Sequence, residues 1–266
     1  FQNSFDVVTV VLSLLVPFYF IGKKMKDVSG AAEPVPLGKP CDGISFILSV
    51  VAGVGFCMMA NIATSYFTLF FSIFGVELTS PEIAMPGGIA GVISSLIRVV
   101  VIAAITEEIT LRGYVMGNLR KYGDKFAIIA SSLVFALMHG NLVQAPFALI
   151  AGFALGYFSI KTGTVWTGIA IHAANNFISL AVTYAMDFLP EETVSVIYMF
   201  VIYGFIFFGL ISVWLLKSRS GQLKFSTDYL GTTTAQKMKA FIFNPAMVVA
   251  LGYMIYITMR FIGFKF

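Results

Sequence analysis

The sequence predicts an all-α polytopic membrane protein, with about eight transmembrane helices around an intramembrane polar cavity. Hydrophobic residues make up 58% of the 266 residues and charged residues only 11%, whereas a soluble domain has about 25% charged residues. Runs of hydrophobic residues near the length of about 17–25 that an α-helix needs to cross a bilayer are taken as candidate spans. No linker or repeat is evident, so we expect a single integral membrane domain, residues 1–266.

Eight apolar runs are the predicted spans. The second and third exceed a simple span, so we expect each to tilt, kink or extend beyond the hydrocarbon. The fourth and fifth are short and are separated only by Asn141–Ala145, which indicates a tight helical hairpin or half-buried helices beside a polar cavity. In order, the spans are Phe5–Ile21, Ile44–Phe74, Gly88–Asn118, Phe126–Gly140, Pro146–Ile160, Thr164–Met186, Thr193–Leu216 and Ala240–Gly263.

Basic residues follow the first, third, fifth and seventh spans, whereas the alternate connections carry acidic residues or no charge. By the positive-inside rule, this alternation predicts that both termini lie on the non-cytoplasmic side of a cell membrane. The bases are Lys23, Lys24, Lys26, Lys39, Arg120, Lys121, Lys125, Lys161, Lys217, Arg219, Lys224, Lys237 and Lys239, and the acids of the alternate connections are Glu77, Glu82, Asp187, Glu191 and Glu192.

Composition also argues against several classes of protein. The net charge is only +4, and the bases serve as topology signals, so no nucleic-acid partner is expected. Cys41 falls in a connection and Cys57 in a span, which makes a structural disulfide unexpected. The first apolar run lacks preceding bases and a small-residue cleavage site, which argues against a signal peptide. Because the chain begins at Phe1 without Met, we expect residues to precede it.

The predicted spans contain two adjacent carboxylates and both histidines of the chain, four groups that can accept or deliver protons: Glu107, Glu108, His139 and His172. Ionisable groups are expensive inside a bilayer, and their presence there usually marks a functional site. With a rise of 1.5 Å per residue, Glu107, His139 and His172 lie about 20, 21 and 16 Å from the basic end of their helices. Three helices therefore place ionisable groups at one depth, which predicts a catalytic or ion-handling centre.

Glu108 and Arg112 are four residues apart and share a helix face, which predicts a charge-assisted pair. Glu107 is turned about 100° from Glu108 around the helix axis, so it can face a different wall of the predicted cavity. The pair is expected to be structural even in an active enzyme. Arg98 lies about 15 Å of helix rise from Glu108, too far for a direct pair. Three roles stay open for Arg98: it can extend to the outer surface, bind the carboxyl terminus of a substrate, or cap helix carbonyls.

Two further pairs have the same spacing, His172 with Asn176 and Phe135 with His139, and each presents two side chains to one neighbour. Structural interpretations exist for all of them. Either histidine can be a packing residue bonded to a carbonyl, and Phe135 is expected to pack. Asn175 and Asn176 can join helices by hydrogen bonds, and spacing does not choose between them. The common depth of the ionisable groups is what these interpretations leave unexplained.

Three motifs in this region resemble those of one family. They are EEITLR at Glu107–Arg112, FALMH at Phe135–His139 and HAANN at His172–Asn176. These are similar to the EExxxR, FxxxH and HxxxN signatures of the CPBP family of CAAX proteases and bacteriocin-processing enzymes, also called the Abi family. Its members include the type II CAAX prenyl endopeptidases. The resemblance covers roughly Ile105–Phe177, within an expected catalytic core of about residues 88–186.

The resemblance implies a glutamate-dependent intramembrane endopeptidase. Glu107 would activate a water molecule, and His139 would share or orient that water. His172 and Asn176 would stabilise the oxyanion that forms as water attacks the scissile carbonyl. The implied substrate is a membrane-associated protein or peptide: a prenylated CAAX-type protein, a bacteriocin leader or a signalling peptide.

The resemblance also leaves a metal-dependent version open. The metal-free version is favoured, with no cofactor. In it, Glu108 and Arg112 would fix the helix so that Glu107 points inward. Members of the family are often labelled metalloproteases, so zinc bound by Glu107, His139 and His172 is the alternative. Glu108 would then be the base and could not serve Arg112 as freely. The two versions therefore assign opposite roles to the two glutamates.

Two classes other than a protease stay open. One is a non-catalytic scaffold, or an immunity or regulatory partner of a peptide toxin or sensor kinase, which would not need all the ionisable groups. The other is a proton-coupled transporter, although the two related halves usual for transporters are not evident. Other types of intramembrane protease are disfavoured. The sequence has no HExxH zinc motif and no GxSG serine motif, and Gly123-Asp124 lacks the upstream glycine of the GxGD motif of presenilin-type aspartic proteases.

Overall fold

The computed structural model describes residues 37–40, 42–81, 86–219 and 231–264, together with Val16 and Phe20. In these residues five helices are long and apolar enough to cross a membrane, or six if a bent pair near the C-terminal end counts as one span. The prediction of an all-α polytopic membrane fold is confirmed in this form, whereas the predicted count of eight is not. Apart from Val16 and Phe20, the predicted span Phe5–Ile21 lies outside the described residues.

Eight helices and two short strands make up the described parts of the chain. Helices α1, α2, α4, α5 and α6 are the five that meet the requirements for a span. The bounds are α1 Gly43–Ile73, β1 Val76–Leu78, α2 Gly88–Tyr122, α3 Asp124–Met138, α4 Ala145–Thr162, α5 Val165–Ala185, α6 Glu191–Arg219, α7 Thr234–Ile242, α8 Pro245–Met259 and β2 Ile262–Phe264.

Two predicted spans have a different form in the structure. The run Phe126–Gly140 corresponds to α3, whose 15 residues reach about 22 Å, less than the hydrocarbon thickness of about 30 Å. The run Ala240–Gly263 is divided into α7 and α8, which are bent by 70°. Asn244 caps α8 by accepting the Ala246 N–H at 3.0 Å. Pro245 follows at the first helical position and has no backbone N–H with which to continue α7.

Helix α2 is continuous but changes its winding along its length. A π-helical segment, Leu96–Ile102, is followed by an α-helical segment, Ala103–Glu108, and a second π-helical segment, Ile109–Met116. Turns of π-helix are frequent at functional sites, where they change the direction of side chains relative to a regular α-helix. The two adjacent glutamates therefore end a short regular segment between two wider ones.

Helix α1 packs most extensively against α6 and α4. Its contact with α6 is closest at Gly55 and Gly209, where a Cβ on Gly55 would lie 2.7 Å from the Phe205 carbonyl oxygen and 3.1 Å from the Gly209 Cα. Small residues allow this kind of backbone approach between membrane helices, where packing rather than a hydrophobic driving force holds the helices together.

One end of the bundle gathers the basic connections, and we call it the basic face. A cavity of about 870 Å³ is lined there by Asp42, Lys125, Lys161 and Arg219, which come from the starts of α1 and α3 and the ends of α4 and α6. Lys237 of α7 also donates to the carbonyl at the end of α2. The described bases of this face are Lys39, Arg120, Lys121, Lys125, Lys161, Lys217, Arg219, Lys237 and Lys239.

The opposite end of the bundle is the acidic face. Strand β1, which follows α1, pairs antiparallel with β2, which follows α8, with Val76 opposite Phe264. Near the end of α5, the Tyr184 hydroxyl donates to the Pro86 carbonyl at 3.1 Å. The end of α8 therefore lies beside the connection between α1 and α2. The described carboxylates of these connections are Glu77, Asp187, Glu191 and Glu192, and Arg260 is the described base that follows α8.

Substitution Gly55→Ala is expected to lower the stability of the bundle by about 1–3 kcal/mol, the usual cost of overpacking a core. The new methyl group would meet the backbone of α6, which cannot move without separating the helices. The matched control is Gly204→Ala on α6, where a Cβ meets nothing within 4 Å. Thermal unfolding in detergent measures both variants, and equal midpoints would contradict the proposed close contact.

Candidate active site

A cavity of about 970 Å³ brings together side chains from distant parts of the chain. Its wall includes Glu107 from α2, His139 from the turn after α3, and His172 and Asn176 from α5. These are the four residues to which the sequence motifs assign catalysis. The structure therefore places all four on the wall of one cavity, and their catalytic roles stay a proposal.

The imidazole of His172 lies between the two adjacent glutamates. Its Nδ1 is 3.0 Å from Glu108 Oε1, and its Nε2 is 3.9 Å from Glu107 Oε2. An ionised carboxylate only accepts hydrogen bonds, so we assign the hydrogen of this contact to Nδ1. Glu107 keeps 24% of its side chain exposed, whereas Glu108 has none exposed. Adjacent carboxylates thus have different surroundings, one on the cavity and one inside the protein.

Glu108 has a second partner on its own helix. Arg112 Nη1 donates to Glu108 Oε1 at 3.0 Å, and both side chains are fully buried. The guanidinium carbon lies 4.6 Å from the centre of the Phe135 ring, and Nη2 donates to the Gly152 carbonyl at 3.4 Å. The ion pair predicted from the four-residue spacing is confirmed. The contact between Glu108 and His172 was not predicted, because spacing reports only partners on the same helix.

Phe135 and His139 form a second unit beside this pair. His139 Nδ1 is 2.8 Å from the Phe135 carbonyl oxygen. A carbonyl only accepts, so Nδ1 carries the hydrogen and Nε2 of the neutral ring is an acceptor. The Phe135 ring lies 5.0 Å from the His139 ring and 5.9 Å from the His172 ring, measured between centroids. One buried phenyl ring therefore packs against both imidazoles, as expected for Phe135.

The turn after α3 is fixed by the side chain of Asn141, which is almost fully buried. Its Nδ2 donates to the His139 carbonyl and to Gln144 Oε1, each at 2.8 Å, and its Oδ1 accepts the Gln144 N–H at 2.9 Å. One amide thus satisfies the polar groups of a tight turn between α3 and α4. The position of His139 at the end of α3 depends on this turn.

Asn176 and Asn175 both lie on the cavity wall. Asn176 Nδ2 donates to the Val99 carbonyl in the first π-helical segment of α2 at 2.9 Å, so it joins two helices. Asn175 Nδ2 lies 3.5 Å from Asn176 Oδ1. An amide nitrogen carries two hydrogens, so Asn176 keeps one for a further acceptor. The structural and the catalytic interpretations of Asn176 are therefore compatible.

Helix α1 contributes polar wall residues that the sequence analysis missed. Asn61 and Thr64 line the cavity, and Asn61 Nδ2 and Thr64 Oγ1 are buried without a hydrogen-bond partner among the described residues. The signal was a polar pair within a long apolar run, since polar side chains in a span usually face the protein interior. Arg98, whose role the sequence left open, also lies on this wall.

The donor set of the zinc alternative is not grouped as a metal site in the described residues. Structural and catalytic zinc sites use at least three strong ligands within about 2.0–2.3 Å of one point. In the described ranges, no three side chains of His, Cys, Asp or Glu are grouped closely enough to hold a metal ion. Glu107, His139 and His172 share a cavity wall without forming such a group, so we derive no step through a metal.

Comparison with family models identifies one match. Residues 89–178 match the family described as type II CAAX prenyl endopeptidase Rce1-like, and this segment contains all three motifs. The match confirms the resemblance predicted from the motifs, and this family implies a protease. Together with the apolar helices, it indicates a multi-pass membrane protein. Comparisons with curated proteins and with solved structures give no match.

Substitution Arg112→Met is expected to lower the free energy of unfolding by about 3–5 kcal/mol, because it removes the buried guanidinium that pairs with the buried Glu108 carboxylate. The matched control is Arg219→Met. Arg219 lies 3.9 Å from Asp42, and both side chains are 46% exposed, so its loss should cost less than about 1 kcal/mol. Unfolding in mixed detergent micelles measures both, and similar losses would contradict the importance of the buried pair.

Proposed function

We propose that this chain is an intramembrane endopeptidase of the type II CAAX prenyl endopeptidase kind, which hydrolyses a peptide bond of a membrane-associated protein or peptide. The observation that carries the proposal is the position of Glu107, His139, His172 and Asn176 on one cavity wall, within the segment that matches this family. Four separate polar side chains at one cavity are not needed for packing. They supply the groups that amide hydrolysis requires.

In the proposed reaction Glu107 is the general base. Its carboxylate faces the cavity, and the Nε2 acceptor of His139 is a second group that can hold a hydrogen of the attacking water. The water oxygen attacks the scissile carbonyl carbon as its proton passes to Glu107. When the tetrahedral intermediate collapses, the carbon–nitrogen bond breaks and this proton goes to the leaving amine. A positioned acid–base group of this kind contributes about 10²–10⁴-fold to the rate.

In the proposed reaction, His172 and Asn176 supply the donors that the oxyanion of the intermediate needs. Asn176 has one amide hydrogen beyond that used by Val99. His172 donates from Nε2 only when its ring is protonated, since Nδ1 already serves Glu108. Protonation of His172 also balances the buried charge, with Glu107 and Glu108 against Arg112 and the imidazolium. Removing one donor of this kind usually costs about 10²–10³-fold in rate.

Glu108 and Arg112 position the reacting groups and do not take part in the reaction themselves. Neither has an exposed side chain, so neither can touch a substrate in this arrangement. Glu108 orients His172 through Nδ1, and Arg112 holds Glu108. In this proposal the two adjacent glutamates have different tasks: Glu107 performs chemistry and Glu108 positions a donor.

The polar residues that α1 contributes to the cavity support a peptide as the substrate. A peptide brings backbone N–H and C=O groups, and each needs a hydrogen-bond partner once it leaves water. Asn61 and Thr64 offer buried polar atoms on α1, in the same cavity as the residues of α2 and α5. The family name points to a prenylated protein with a CAAX end, and leader or signalling peptides are the other substrates to be compared.

Substitutions Glu107→Gln and His139→Ala are each expected to lower cleavage by at least about 10²-fold, with expression and thermal unfolding close to those of the unchanged protein. The assay uses protein in lipid vesicles and three peptides: a farnesylated CAAX peptide, a bacteriocin-type leader and an unmodified amphipathic peptide. Products are identified by mass spectrometry. The control Glu191→Gln alters an exposed carboxylate at the start of α6 and should keep full activity. Undiminished cleavage in both variants would reject the catalytic assignment.

Removal of metal ions is expected to leave cleavage unchanged, because no three His, Cys, Asp or Glu side chains of the described residues are grouped closely enough to hold an ion. Purified protein should contain far less than one equivalent of zinc by elemental analysis. Treatment with 1,10-phenanthroline should leave the rate of the same peptides within about twofold, an effect below 1 kcal/mol on the barrier. Stoichiometric zinc, with activity lost to the chelator and restored by zinc, would establish the metal-dependent version instead.

A further inference from the structure

The catalytic cavity lies on one side of the reacting groups. On α2 its wall residues begin at Arg98 and end at Glu107, and on α5 they begin at His172 and end at Thr183. Helix α2 runs from the acidic face to the basic face, and α5 runs in the opposite direction. Both helices, which are described along their whole length, therefore place the cavity between the reacting groups and the acidic face.

The other helices of the cavity agree with this direction. On α1, which ends at the acidic face, the wall residues lie between Asn61 and Leu69, in the last part of the helix. On α6, which begins at the acidic face, they are Tyr198 and Ile202, near its start. Helix α4 contributes Phe147, from its first turn.

The residues that follow the reacting groups toward the basic face are buried, and the cavity of about 870 Å³ at that face has no lining residue in common with the catalytic cavity. Glu108, Leu111 and Arg112 follow Glu107 on α2, and none has an exposed surface. On α5, Ile171 precedes His172 and is also fully buried. The buried ion pair and its apolar neighbours thus close the site from that side, in the part of the chain that the structure describes.

We propose that the substrate reaches the site from the acidic face, and that this face is the non-cytoplasmic side of the membrane. Nine described bases lie at the basic face, whereas Arg260 is the described base beside the acidic connections. Because basic connections are retained in the cytoplasm during insertion, the basic face is the cytoplasmic one. The substrate is then a membrane-associated segment of an exported protein or secreted peptide, rather than a prenylated protein in the cytosol. The nature of the substrate rests on the proposed function, whereas the side of access does not.

The side of access can be measured with two matched cysteine variants. Ser179→Cys, the cavity variant, changes a residue of the cavity wall, and Ser218→Cys, the basic-face variant, changes a residue at the basic-face end of α6; both serines are exposed. The background carries Cys41→Ser and Cys57→Ala. A charged, membrane-impermeant maleimide is added to right-side-out and inside-out vesicles from the same cells. The cavity variant should be labelled at least tenfold faster in right-side-out vesicles, and the basic-face variant at least tenfold faster in inside-out vesicles.

Three results would overturn the side of access: the cavity variant labelled faster in inside-out vesicles, the basic-face variant labelled faster in right-side-out vesicles, or the cavity variant unlabelled in both. The same labelling is measured with Glu107→Gln added to each variant, because access does not require catalysis. If the directional labelling holds while cleavage survives the Glu107→Gln change, the proposed function fails and the access inference stands. If cleavage requires Glu107 but the labelling is reversed, the access inference alone fails.

The class of substrate is tested with the same vesicles. The three peptides named above are added outside, and cleavage should occur with right-side-out vesicles at a rate at least tenfold above that with inside-out vesicles. The leader peptide or the unmodified peptide should be cleaved rather than the farnesylated CAAX peptide. Preferential cleavage of the farnesylated peptide by inside-out vesicles would overturn the substrate inference.

Discussion

The buried carboxylate of Glu108 is the constraint on which the site depends. One of its oxygens receives both the Arg112 guanidinium and the His172 imidazole. Taking these groups out of water costs several kcal/mol per ion, and their attraction offsets this cost only with good geometry. The helices must therefore approach closely. A Cβ at Gly168 of α5 would lie 2.9 Å from Glu108 Oε2, so this glycine permits the approach, and a larger residue would separate His172 from its partner.

The same constraint separates two chemically identical neighbours. Glu107 and Glu108 are consecutive, but a helix turns about 100° per residue, so one carboxylate faces the cavity and the other faces α5. The π-helical segments on either side of Ala103–Glu108 set the direction of this short regular stretch. The chemistry of the site therefore depends on helix winding as much as on residue type.

Much of the fold could be predicted from the sequence, because long apolar runs report the environment of a helix directly. The predicted span Ile44–Phe74 differs from α1 by one residue at each end. The division of Ala240–Gly263 was missed, because hydropathy does not report where backbone hydrogen bonding stops. Asn244 and Pro245 carried the local signal for that break. The pairing of β1 with β2 joins segments that are distant in the chain, and no local pattern indicates such a partner.

The site was predictable to the extent that depth along a helix can be counted. Counting residues from the basic ends placed Glu107, His139 and His172 at one level, and the structure puts all three on one cavity wall. The bond from His172 to Glu108 could not be counted in this way, because it depends on the rotation of α5 about its axis. The polar wall residue Asn61 had a signal in its apolar surroundings that the motifs did not include.

The turn that Asn141 organises has a consequence for the supply of reactant. Helix α3 starts at the basic face and is about 22 Å long, so it ends before the far boundary of a hydrocarbon layer of about 30 Å. Irregular backbone at such a depth is tolerated only where protein encloses it or where it borders an aqueous space. The buried Asn141 side chain forms hydrogen bonds to the backbone of this turn, and Gln144 borders the cavity. A turn that borders a cavity at this depth can bring hydration below the headgroups, so in the proposed reaction the shape that positions His139 would also deliver the water that is consumed.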